Sequence, residues 1–186
     1  MNTMRRKDRQ MDESFALEVI DNSEYGVLGL GNEEPYTIPL SIVREGKTLY
    51  FHSAPEGKKT ELIKDGDNVS VSFVSRAKVP RIFTKDEVKE FIKEKSFGKV
   101  GSKVFTTEFS SAHIMGKIYE VKDEEEIIFG LMLIAKKYTP EMEDLAIDFI
   151  KNSLHRTRLY KIEIIEIQGK RKQFDSFGEE MKFGRL

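Results

Sequence analysis

The chain has 186 residues, close to one domain at about 150 residues each, and at that size folding buries roughly 70% of the surface of the open chain. Lys and Arg number 31 against 32 Asp and Glu, a net charge of −1 that weighs against a dedicated nucleic-acid binder. Cysteine is absent, which excludes disulfides, thiolate catalysis, Cys-ligated zinc and iron–sulfur clusters, and His52, His113 and His155 are too scattered for a His-rich metal site.

A basic arm, Arg5-Arg6-Lys7-Asp8-Arg9, opens the sequence. It lacks the apolar stretch of a secretory signal. Asp12 is placed to cap a helix that turns Phe15, Val19 and Ile20 to one side and ends at Asn22-Ser23. Three short β-type runs follow, at 25–30, 36–43 and 48–53. Their connections, Gly31-Asn32-Glu33-Glu34-Pro35 and Arg44-Glu45-Gly46-Lys47, have hairpin length, so the runs are expected to be antiparallel neighbours. A short helix over 57–64 is broken by Gly66-Asp67-Asn68. Val69, Val71 and Phe73 then alternate with Ser70 and Ser72 as a strand with one polar face, and 76–80 reads as a loop.

Thr84 followed by Glu87 is a capping box that predicts a helix to Lys95. The run 105–121 is extended, with Gly116 as a bulge or a point of close approach. Asp123 caps an unusually apolar helix to about Tyr138, and Pro140 opens another to about Leu154. The longest apolar stretch, 127–135, is about half of a membrane span. The run 160–167 is a strand whose apolar phase slips between Ile164 and Ile165, which predicts a bulge or burial on both faces. The domain is expected to cover 1–172, and 173–186 to be a tail, with poor order from Gly169 onward. Five or six strands and about four helices at the ends suggest a sheet closed into a small β-barrel, because closure removes exposed edges.

The stretch Tyr50-Phe51-His52-Ser53-Ala54-Pro55-Glu56-Gly57-Lys58-Lys59 carries most of the chemistry. A strand delivers a His and a hydroxyl to its end, and a helix then starts at Gly57 with two cations. Helix N–H groups, two ammonium groups and the His52 and Ser53 donors suit a phosphate. A solvated lysine pair on an ordinary strand-to-helix turn is the other reading. Pro39 removes a ladder donor inside an otherwise good strand, marking an edge, a bulge or a split that frees the backbone of Leu40 and Ser41. His113, within Thr106 to Gly116, is expected to pack or hydrogen-bond within the barrel. His155 belongs to the surface. No nucleophile elbow and no carboxylate pair for hydrolysis is present.

At these residues the sequence resembles the pyridoxamine 5'-phosphate oxidase-like, FMN-binding split barrels, in the branch of the nitroimidazole-resistance flavoproteins. The resemblance is carried by Met4 to Arg9, by Glu24-Tyr25-Gly26-Val27-Leu28 with Pro35-Tyr36-Thr37-Ile38-Pro39-Leu40, and by the His-Ser-Ala and Gly-Lys-Lys of 52–59. Ser111 to Gly116 and the closing 162–170 fit it too. It implies a mainly β antiparallel split barrel with peripheral helices, and a homodimer with FMN in two clefts between subunits.

It also implies that Lys58 and Lys59 hold the phosphate with Ser53 and Ala54 beside them. Pro39, Leu40 and Ser41 would line the isoalloxazine edge, and Ser111 would contact the flavin from the late strand. His52 would act as proton donor in the reduction of a small, nitroaromatic-type molecule. NADH or NADPH is the donor to consider, in the cytoplasm. Relatives commonly carry Tyr-Arg where this chain has Phe109-Ser110, and the insert of 77–108 is unlike the expected compact loop. Two rivals stand beside this reading. One is a flavin- or haem-binding module without turnover, with His52 and His113 as the axial-ligand candidates. The other is a nucleic-acid-binding barrel using Arg5 to Lys7 and Lys170 to Lys172, which the neutral charge disfavours.

Overall fold

The first helix starts where the sequence places its cap: the Asp12 carboxylate accepts the Phe15 N–H at 2.9 Å, and α1 (Glu13–Asn22) follows. The computed structural model describes residues 4–31 and 35–185, so the connection at 32–34 lies outside it. In chain order the elements are β1 (Gln10–Met11), α1, β2 (Gly26–Leu30), β3 (Tyr36–Leu40), β4 (Val43–Glu45), β5 (Thr48–Ser53), α2 (Lys58–Leu62), β6 (Asn68–Lys78), α3 (Lys85–Lys93), α4 (Phe97–Val104), β7 (Glu108–Glu120), α5 (Glu124–Tyr138), α6 (Glu143–Ser153) and β8 (Arg158–Lys172). Eight strands and six α-helices are thus seen among the described residues, more of each than the pattern suggests.

The expected strand at 36–43 is two strands. β3 and β4 lie at opposite edges of one antiparallel sheet in the order β3-β2-β6-β7-β8-β5-β4, with β1 added on β8. Only Ser41 and Ile42 join them. A flat sheet of seven strands would hold its edges about 29 Å apart, whereas the link from Leu40 to Val43 reaches about 11 Å at most. The sheet therefore curls until its edges nearly meet. No ladder joins β3 to β4 among the described residues, so the barrel is split along this seam. Pro39, paired with Val27 in β3, lacks the N–H that a further strand would need.

The alternation in β6 holds: Val69, Val71 and Phe73 are buried inside the barrel. There they meet Leu28, Ile42, Leu49, Phe51, Ile114 and Ile162, and Ala16, Val19 and Ile20 of α1 pack onto the same core. A second core lies outside the barrel wall, where Tyr50 and Leu159 meet Leu131 and Ile134 of α5 and Ile150 of α6. The C-terminal turn of α5 fastens the seam. Lys137 Nζ donates to the carbonyls of Ile20 (3.2 Å) and Ile42 (3.1 Å), and the Tyr138 hydroxyl donates to Ile42 at 3.1 Å. Burial lowers the pKa of Lys137, and the nearby Asp21 carboxylate opposes that shift.

Three expectations need correction. Arg76 to Lys78 continue β6 past a register shift after Val74 instead of forming a loop. The insert carries a second helix, α4, which the sequence hides because it holds two glycines and its Ser96 makes no capping bond. The described residues after Gly169 are built into the fold. β8 runs to Lys172, Phe174 is buried, and the segment beyond ties back to the basic arm through Arg9–Glu180 (2.6 Å) and the Phe183 N–H to the Asp8 carbonyl (2.8 Å). Charge hides this strand end. Arg171 and Lys172 are buried because their cations lie over the rings of Phe15 and Phe174, at 5.7 and 5.4 Å, and donate to carbonyls of Arg185 and Ser102.

The phase slip in β8 is a bulge. Ile165 falls between the pairs Met115–Glu166 and Gly116–Ile164. Gly116 is also a close-approach point, since a Cβ there would stand 2.5 Å from the Glu163 carbonyl oxygen. Gly116→Ala is accordingly expected to cost about 2 kcal/mol, read as a lower urea midpoint with an unchanged slope. Lys137→Met removes two charge-assisted bonds, one to α1 and one to the seam, and is expected to cost about 2 kcal/mol as well, with the fastest amide exchange gained at Ile42 and Val43.

Candidate functional site

Strand β5 sorts its side chains between two environments. Phe51 points into the barrel core. Tyr50 packs outward against α5 and donates to Glu126 at 3.1 Å. Lys161 holds the same carboxylate at 2.9 Å, and burial, with Glu126 beside it, pushes the Tyr50 phenol up to about 12. His52 shares the outward side and faces a cavity between α5 and α6. Ser53, the last residue of the strand, is buried.

The chain then turns through Ala54-Pro55-Glu56 to Gly57, whose φ of 121° is open to glycine and strained for other residues. The Thr60 hydroxyl donates to the Gly57 carbonyl at 2.7 Å, and the five-residue α2 begins. Lys58 is exposed. Lys59 folds back over the Phe51 ring, 5.6 Å from its centroid, and burial lowers its pKa. Among the described residues no carboxylate is paired with it. Pro55, Gly57 and Thr60 line a cleft with Glu56, Glu61 and Arg158.

The seam brings a second group to this corner. Val43 pairs with Tyr50, so Ile42 and Ser41 lead back alongside Phe51 and His52. Ser41 also bonds the Tyr138 hydroxyl, which the Ile42 carbonyl accepts. Pro39, Leu40 and Ser41 line a shallow cleft with Tyr25 and Val27 on the outside of the barrel. Pro39, Leu40, Ser41, His52, Ser53, Ala54, Lys58 and Lys59 thus occupy one end of β5 and the seam beside it.

Ser111 is elsewhere. It pairs with Lys170 across β7 and β8, with its hydroxyl 3.4 Å from the Lys170 carbonyl, whereas His52 pairs with Leu159. Those two positions are eleven residues apart on β8, about 36 Å of extended strand. His113 is also remote. It is exposed on the outer face of the barrel, and its Nδ1 lies 3.2 Å from the Ser72 hydroxyl, so its bond is on the barrel wall and not within it. His155 is exposed in the turn before β8. Near Ser110, Arg76 lies 3.6 Å from Glu108 and Lys170 stands over the Phe109 ring at 5.6 Å.

Sequence reasoning missed Arg158. It pairs with Ser53 and adds a guanidinium to the cleft, and its position depends on a β5–β8 pairing that no local pattern announces. The apolar side chains of α5 and α6 that line the cavity beside His52, itself partly open to solvent, read only as core. Among the described residues, no group of three His, Asp or Glu side chains is placed to hold a metal ion, and no helix is long and apolar enough to cross a membrane.

A split antiparallel barrel with a cationic strand-to-helix corner defines the class of the protein. The family model described as pyridoxamine 5'-phosphate oxidase matches residues 12–171, and the chain belongs to that family. No curated protein matches it in sequence. Among solved structures, a candidate 5-nitroimidazole antibiotic resistance protein from Bacteroides thetaiotaomicron is 22% identical, with a TM-score of 0.61 over 86% of this chain and 84% of its own. A FAD- and heme-binding protein from Mycobacterium smegmatis gives 14% and 0.65, over 88% and 73%. A FAD-binding protein from Mesorhizobium loti gives 17% and 0.54, over 89% and 98%. These likenesses confirm the expected fold.

His52 is held below its ordinary pKa of 6.5, first by desolvation and second by the Lys59 charge. Its imidazole is therefore neutral in the folded chain at neutral pH. Below about 6.5 the unfolded chain takes up a proton that the folded chain resists, so stability falls as pH drops from there to the folded midpoint. NMR titration is expected to give a His52 midpoint below 6.5. In Lys59→Met the midpoint should rise yet stay below 6.5, because burial is the larger cause.

Proposed function

We propose that the chain is an FMN-dependent oxidoreductase of small molecules, acting as a homodimer with a cofactor in each of two clefts between copies. The observation that carries this reading is the corner at the end of β5. There Lys59, drawn out of water with no paired carboxylate among the described residues, stands with Lys58, Arg158 and Ser53 around an open glycine turn. Such a set fits a phosphate monoester, although Glu56 and Glu61 in the same cleft, and Glu120 at 3.6 Å from Arg158, reduce the positive balance. Membership of the family and the flavins named for the Mycobacterium and Mesorhizobium proteins support a flavin. FMN is the form that two lysines beside a short turn suit, since it ends in a single phosphate.

Lys58, Lys59, Ser53 and Ala54 would hold the phosphate end, and Pro39, Leu40 and Ser41 the ring edge. The eleven-residue offset between the β8 partners of His52 and Ser111 favours a second copy, which would bring the Ser111 of one chain to the flavin beside the His52 of the other. A bound flavin would supply hydride and electron transfer, with NADH or NADPH as donor. The protein's own part is to orient the reactants, exclude water and present the His52 imidazole. His52 would donate a proton to the molecule being reduced, after taking one up from solvent. A nitroaromatic-type substrate is the proposed acceptor, and the cytoplasm the proposed compartment.

The test is the absorbance of the protein as purified, with the released flavin identified by chromatography. FMN is expected. Lys58→Gln with Lys59→Gln should weaken its binding about tenfold to a hundredfold. His52→Asn should keep the flavin and slow nitroaromatic reduction. A colourless protein whose thermal midpoint is unmoved by FMN would end the proposal. Turnover absent in a flavin-loaded protein, with a Soret band on haem titration lost in His52→Ala, would favour the cofactor-binding module instead.

A further inference from the structure

The cavity that His52 faces has a volume of about 450 Å³, within the roughly 300–1,000 Å³ usual for small-molecule sites. Its walls come from α5, α6 and the turn between them, chiefly Leu131, Ile134, Met142, Leu145, Phe149 and Ile150. His52 is the one ionisable side chain among those that line it. Thr139 is also on the lining, but its hydroxyl donates to the Ala135 carbonyl at 3.1 Å within its own helix. The carboxylates Glu143 and Asp144 of α6 line a separate cleft with Met132 and Pro140.

We infer that this cavity is the substrate site and that it takes an uncharged, largely apolar molecule of one or two rings, excluding phosphorylated compounds such as the vitamer in the family's name. The inference rests on the oxidoreductase reading only for the word substrate; the selectivity comes from the walls. A phosphate or carboxylate placed among those walls would leave water with no cation on the lining to pair it, which is unfavourable. His52, kept neutral by its surroundings, offers one hydrogen bond and no charge. The same imidazole is near enough to Lys59 for that charge to act on it, so the cavity abuts the corner proposed to hold the cofactor. Anion and apolar ligand are thus assigned to opposite sides of one residue. The outward rim, with Phe149 74% and Leu145 52% exposed, is the way in.

The experiment uses the neutral fluorophore N-phenyl-1-naphthylamine with the full chain as purified, its flavin content read from absorbance in the same samples. Saturable binding is expected at one site per chain, with no displacement by pyridoxal 5'-phosphate. Ala146→Trp, which fills the cavity, and Leu145→Asp, on its exposed rim, should each weaken binding about tenfold or more. Displacement by pyridoxal phosphate, or equal binding in both variants, would overturn the inference. So would no binding at all, the result expected if a neighbouring copy fills the groove. Probe binding that persists in a chain unable to bind flavin would remove the oxidoreductase reading and leave the apolar site standing.

Discussion

The structure depends on a covalent constraint: strands at opposite edges of the sheet are joined by Ser41 and Ile42 alone. That link bends the sheet, and every other layer follows. Once the edges approach, the inward residues of β2, β5, β6, β7 and β8 share one core, and α1 packs onto it. The outward residues Tyr50 and Leu159 are then left to bury themselves against α5 and α6. The unpaired seam would expose the Ile42 carbonyl, and Lys137 with Tyr138 satisfies it from the end of α5. An ammonium is costly to desolvate, so its place beside two carbonyls and near Asp21 limits that cost.

The same geometry concentrates chemistry. A strand that ends at a barrel rim delivers His52 and Ser53 there, and a turn that needs a glycine swings Lys58 and Lys59 beside them. The seam adds Ser41. Two unlike neighbourhoods, cationic at the turn and apolar between the last helices, therefore share a boundary at one imidazole. Burial and the Lys59 charge both favour its neutral form.

Local signals made much of this legible. Asp12, Thr84 and Asp123 cap helices as their positions suggest, and Gly116 and Ile165 mark the bulge from sequence phase alone. Pro39 announced a break, yet nothing local shows that the chain crosses to the far edge of the sheet two residues later. The run at 36–43 is β-forming throughout, and the break is set by closure. α4 was hidden by its glycines. The ordered end of β8 was hidden by charges whose rings and carbonyls lie far off in sequence. Of the site, the His52–Lys59 stretch is contiguous and readable, whereas Arg158 and the α5–α6 walls arrive through long-range pairing. Ser111 was grouped with them through resemblance, and within one chain it stands apart.

The position of β8 has a kinetic consequence. It follows every other strand of the described residues in chain order, yet it fills the gap between β7 and β5 and also receives β1. Until it docks, the β4–β5 hairpin has no sheet to join, and the nascent polypeptide carries unsatisfied strand edges on both sides of the vacancy. Closure therefore waits on long-range pairing by β8, the kind of contact that forms slowly, and a chain in which β8 is undocked is a sticky intermediate rather than a smaller barrel.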